Sequence, residues 1–151
     1  MTATPETEAH GPVDFVLLEF PLDGLTGRAS EELMKLVEHG MIRLFDLTIV
    51  VKDEDGAIEV LELTDPGGPG EAFSYFAGAR SGLLDEDDIA EASGAIMPGR
   101  VAALIVYENT WAAPFVAAVR ESKGELVAST RIPAPDVMAA LDALDAKPPA
   151  A

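Results

Sequence analysis

Cysteine is absent from this 151-residue chain. Its absence excludes disulfides, thiolate nucleophiles and cysteine-ligated zinc. Basic residues are scarce. Ten Lys and Arg stand against 27 Asp and Glu, so the formal charge is 10 − 27, or −17. No two basic residues are adjacent. Such a surface repels phosphate, which argues against nucleic-acid binding and against anionic membrane surfaces. It leaves a basic protein as a possible partner. Long apolar runs are missing too. Phe15–Leu18 and Val101–Tyr107 are the clearest ones, and both fall far short of the roughly 20 residues that span a bilayer. Met1–His10 has neither a basic stretch nor an apolar core of the secretory kind. A cytoplasmic protein is therefore expected. Histidine occurs only at His10 and His39, too far apart for a close-spaced metal pair, so no metal or cofactor is expected.

What is present is globular. The chain is 48% hydrophobic and 25% charged, a balance that supports one packed core rather than disorder. A single α+β domain is expected over residues 12–145, between flexible tails at 1–11 and 146–151. Val13–Phe20 and Arg100–Glu108 are apolar on both alternating faces, the pattern of central strands covered on two sides. Ile42–Lys52 alternates, with Phe45, Leu47, Ile49 and Val51 on one face. The turn Asp53–Gly56 then leads to a hairpin partner at Ala57–Leu63. Glu125–Ile132 reads as a further strand. Helices are expected from Ser30 as N-cap to Glu38, over Glu71–Arg80, from Asp85 to Ile96, from Asn109 or Thr110 to Ser122, and from Pro135 to Leu144. Asp65–Gly70 (DPGGPG) is a loop. It is followed by Glu71 and lacks the Lys of a phosphate cradle.

Two strand–helix–strand units, 13–52 and 100–132, suggest a ferredoxin-like βαββαβ sheet. To it are added an inserted hairpin strand and helix and an extra C-terminal helix. A competing assignment makes 57–63 the third core strand and 85–96 the second core helix; the order of hydrophobicity favours the first. The second sheet face must be covered by a partner chain or by the inserted and C-terminal helices.

Gly11–Pro21 (GPVDFVLLEFP), Leu44–Val51 with its hairpin, Ser81–Asp88 (SGLLDEDD), Pro98–Phe115 and Glu125–Pro133 (ELVASTRIP) resemble an actinobacterial family of uncharacterised proteins. The resemblance implies a relation to general-stress or "membrane-protein-related" domains. The resemblance implies no reaction and no cofactor, so it carries no residue roles. Relatives in the broader group have a Gly-rich, membrane-like segment in mid-chain. Here Asp65–Gly82 stands in that place and is broken by polar residues.

Glu108, Asn109 and Trp111 form the leading candidate ligand site, with Asp14 as a partner from the other apolar strand. Glu108 has the chemistry of a general base, Asn109 that of an amide donor, and Trp111 that of a pocket wall. The alternative is structural: Asn109 or Thr110 caps a helix, Trp111 packs in the core, and Glu108 pairs with Arg100, Arg120 or Arg131, or with the helix amides near Thr110. Asp85–Asp88 suits a helix N-terminus, and Asp53–Gly56 lacks the closing Glu of a calcium loop. The expected function is a non-enzymatic homo-oligomeric interaction module, most simply a homodimer, with a stress association. The alternatives are a small-ligand regulatory domain, its ligand near Leu22–Gly27, and an enzyme using Glu108.

Overall fold

The computed structural model describes residues 10–68 and 70–146. The elements are β1 (Val13–Pro21), α1 (Arg28–Glu38), β2 (Arg43–Lys52), β3 (Ile58–Val60), α2 (Glu86–Ser93), β4 (Arg100–Glu108), α3 (Ala113–Glu121) and α4 (Ala134–Ala146). Short 3-10 turns lie at Glu71–Phe76 and Thr110–Ala112. The chain divides into two compact units, Met1–Ala118 and Val119–Ala151.

The first unit is built on a four-stranded antiparallel sheet of order β1-β4-β2-β3. β4 lies between β1 and β2 and is antiparallel to both, so β1 and β2 run in the same direction and α1 joins them. The run Val101–Val106 is buried throughout, as befits the strand with neighbours on both sides and cover on both faces. One face carries Val101, Ala103 and Ile105 with Leu47 and Ile49. It is covered by Leu33, Met34 and Val37 of α1 and by Phe73 and Phe76 of the first 3-10 turn. The opposite face carries Ala102, Leu104 and Val50, packed against Ile89 and Ala92 of α2 and against Ile96. The inserted helix thus supplies cover for the second face. Lys52 secures it, donating from Nζ to the carbonyls of Ser93 (3.2 Å) and Ile96 (3.0 Å) at the helix's C-terminal end.

Several expectations change on contact with the backbone. β1, expected to be central, stands at one end of the four strands in order among the described residues. Its side chains meet neighbours on both faces, but coverage of faces says nothing about backbone pairing. Residues 125–132, expected as a strand, hold neither strand nor helix. The register of β2 against β4 shifts between Leu44 and Asp46. Leu44 rather than Phe45 therefore joins the α1 side of the core, while Phe45 stacks under the Arg43 guanidinium at 5.3 Å. The hairpin strand is only three residues long. Beyond it, β2's outer edge is closed by residues 79–81, through Leu47 N–H to Ala79 O and Ser81 N–H to Phe45 O. Helix α1 starts at Arg28 after Gly27, whose φ is 90° and which lends no side-chain cap; Ser30 is buried within its first turn. Asp85 does cap α2. It accepts from the Asp88 amide while Asp88 accepts from the Asp85 amide, a reciprocal capping box.

In the second unit, α3 ends at Glu121 and α4 follows after residues 122–133, which hold no strand or helix. Within this unit no residue of α4 is buried. Residues 1–9 and 147–151, expected as tails, lie outside the described residues. Gly11 does not behave as tail: it is buried.

Candidate functional site

β4 delivers Glu108 to the end of the sheet, where its partners in register are Val13 on one side and Arg43 on the other. The side chain follows an apolar run into a place only 6% exposed. A carboxylate there needs a donor. It finds one in the backbone amide of Gly11, which lies 2.9 Å from Oε2. An Arg, or the helix amides near Thr110, was the expected donor. Arg100 instead faces Glu19, with Nε 3.4 Å from Oε2. Glycine is required at position 11 for space. A Cβ there would come within 1.8 Å of the Asn109 carbonyl oxygen.

Asn109 completes the same junction. Its backbone amide donates to Pro12 O at 2.8 Å. Its side-chain Nδ2 donates to Pro12 O at 3.0 Å and to Asp14 Oδ2 at 2.9 Å, and Oδ1 accepts from Trp111 Nε1 at 3.3 Å. Both amide ends are engaged, so Asn109 is a tie between β1 and the β4 end rather than an open donor or a helix cap. Thr110 Oγ1 donates to Gly40 O at 2.7 Å, and the Trp111 amide donates to Met41 O at 3.3 Å. These bonds dock the turn onto the loop after α1.

The four candidate residues therefore come together, but as a latch. Asp14, Asn109 and Trp111 form a hydrogen-bonded chain, and Glu108 is buried against the entering backbone. Trp111 corrects the expectation of a core residue: it is 64% exposed, as is its helical neighbour Phe115 at 72%. Shared spacing put them on one face, but that face looks outward.

Two other features were not singled out by pattern. Asp46 is a buried carboxylate in mid-strand. It accepts from Ser81 N–H at 2.9 Å, from the Ser81 hydroxyl and from Gly82 N–H, and so holds the loop before α2 to the edge of β2. The visible signal was a lone acid inside an apolar strand. The second is a groove of about 620 Å³ on the α2 side of the sheet, floored by Val13, Phe15, Leu17 and Val106. A separate cleft of about 420 Å³ lies where Leu22 and Leu25 meet β3 residues Glu59 and Val60. Glu108 lines neither. No helix among the described residues is long and apolar enough to cross a membrane.

No curated protein and no solved structure matches this chain. A family model does, over residues 9–148, a span that takes in the Gly11–Glu108 latch, the groove and both units of the chain. The chain belongs to that family, a family of unknown function (DUF6325).

Proposed function

We propose that this chain is a non-enzymatic homo-oligomeric interaction module. The observation that carries the reading is α4. Val137, Met138, Leu141 and Leu144 fall at i, i+1, i+4 and i+7 along it, one apolar stripe, and all four are exposed within their own unit. A 13-residue helix with nothing buried in its own unit is marginal on its own in water. A stripe of this kind persists when a second helix covers it, and a second copy of the chain supplies an identical one. The engagement of Glu108 and Asn109 in structural bonds supports a non-catalytic role for the latch. The split β–α–β arrangement, with β4 between parallel β1 and β2, supports kinship with ferredoxin-like sheets. The resemblance to general-stress domains and the lack of cysteine support a cytoplasmic, stress-associated actinobacterial protein. Light scattering across a dilution series tests the proposal. A particle that stays at 15.9 kDa at high micromolar concentration contradicts it.

A second reading, a small-ligand regulatory domain, is favoured by the cleft beside Leu22 and Leu25, which falls within the loop Leu22–Gly27 where a ligand was expected. Native mass spectrometry of purified protein would show a co-purified adduct if this reading holds.

A further inference from the structure

The cleft beside Leu22 and Leu25 is built within the first unit: every described residue that lines it falls between positions 22 and 101. Its floor follows from the strand register. Val101 of β4 stands opposite Val51 of β2, and Val51 stands opposite Glu59 of β3. Residues directly opposite across a ladder share a face of the sheet. Val51 and Val101 belong to the core under α1, and Leu25 and Leu61 pack against the same core. The row therefore runs from an apolar centre to a carboxylate on β3. Hydrogen bonds fix the walls. On one side the Gly24 amide donates to Pro21 O at 2.8 Å, in the turn that carries Leu22 and Leu25. On the other the Gly68 amide donates to Asp65 O at 2.9 Å and the Gly67 amide to Glu71 Oε2 at 2.9 Å, which holds the loop that carries Asp65.

The polar lining has one sign. Glu59, Glu62 and Asp65 line the cleft, and among the described residues no Lys, Arg or His does. All three acids are exposed within the first unit. The ion pairs among the described residues engage Glu19, Glu31 and Glu32 and none of these three. Nor do the three converge on a point, because among the described residues no group of three or more acids or histidines is placed to hold a metal ion.

From an apolar floor, an all-acidic rim and a volume of about 420 Å³ we infer that the cleft binds a small organic cation, a primary ammonium on a compact apolar body. The volume lies within the range of small-molecule sites. The floor takes the apolar body, and the spaced carboxylates supply acceptors for the ammonium N–H groups. A quaternary ammonium has no N–H to give them, and among the described residues no aromatic side chain lines the cleft to receive it by its ring face. A carboxylate ligand meets three like charges. The net charge of −17 draws cations toward the chain from a distance. The inference rests on the small-ligand reading of this cleft and names the class of ligand; it does not depend on self-association through α4.

The probe is 2-phenylethylamine, titrated into the isotope-labelled full chain and followed by amide chemical shifts. Its comparison compounds are 2-phenylethanol, phenylethyltrimethylammonium, 3-phenylpropionate and calcium chloride. Expected for the amine are a dissociation constant on the order of 0.1 mM and shifts centred on residues 22–25 and 59–65. The alcohol and the quaternary cation should bind at least roughly tenfold more weakly, and 3-phenylpropionate and calcium should give no saturable shift there. Glu59→Gln and Asp65→Asn, both at exposed positions, should each weaken the amine about threefold, the scale of an exposed ion pair, and leave the alcohol unchanged. Glu91→Gln, on α2 over the opposite face, should change nothing. Amine shifts spread over the acidic surface, or an equal effect of Glu91→Gln, would overturn the inference and reduce binding to diffuse charge attraction. Saturable calcium binding at residues 59–65 would overturn it in favour of a metal ion. Equal binding of the alcohol or of the quaternary cation in the cleft would overturn the primary-ammonium class and leave the small-ligand reading standing. No shift at these residues with any compound at millimolar concentration would overturn both.

Discussion

Gly11 and Glu108 lie 97 positions apart and are mutually dependent. The carboxylate is buried because the strand before it is apolar, and a buried carboxylate needs a hydrogen-bond donor. The donor is a backbone amide that no side chain at position 11 would allow so close. Gly11→Ala should therefore destabilise the first unit by about 2–3 kcal/mol, since overpacking against backbone cannot be relieved by a rotamer change. Glu108→Gln keeps the shape but loses the charge-assisted bond, and about 1–3 kcal/mol is expected. Urea titrations with unchanged m-values would check both. Trp111→Ala, by contrast, should cost no more than about 1 kcal/mol, because the ring is largely in solvent. The need of Glu108 for a donor was legible in the run of apolar residues before it. The identity of the donor was not, since nothing local ties residue 11 to residue 108. Helical spacing linked Trp111 to Phe115 correctly but cannot say which way a shared face points.

At the scale of elements, those with strong local chemistry were legible. Asp85 and Asp88 sit three apart before an apolar-periodic stretch, and they form the capping box of α2. The turn Asp53–Gly56 closes as expected, with Asp53 Oδ1 accepting from the amides of Asp55 and Ala57 and Gly56 at φ 91°. Where pairing depends on distant chain, pattern reading fell short. The alternation of β1 reported two covered faces, yet the strand comes first in the order of the described sheet. Leu126, Ala128, Thr130 and Ile132 alternate like a strand, yet residues 125–132 hold neither strand nor helix within their unit. The bulge at Phe45 has no Gly or Pro to announce it. The docking of α2 depends on Lys52, a residue that pattern reading placed only as a polar strand position. Lys52→Met should remove two charge-assisted bonds to the end of α2, at a cost of about 2 kcal/mol. Amide exchange at residues 93–96 should quicken while that of β4 stays slow. Uniform acceleration would show instead that α2 and the sheet open as one unit.

For the whole molecule, charge and apolar surface oppose each other. A net −17 resists self-association, while the stripe on α4 favours it. If both act, added salt screens the repulsion and tightens the oligomer, the reverse of an assembly held by ion pairs. A dissociation constant that falls between about 0.05 and 0.5 M salt is expected, as the Debye length shrinks from more than 10 Å to less than half of that. The most direct test of the account is sedimentation equilibrium of the full chain beside Leu141→Glu, which places a charge in the middle of the α4 stripe. The account predicts a mass at least twice 15.9 kDa for the parent chain, and a monomer that keeps its cooperatively folded sheet for the variant. A parent chain that sediments as a monomer, or a variant whose oligomer is unchanged, would contradict it.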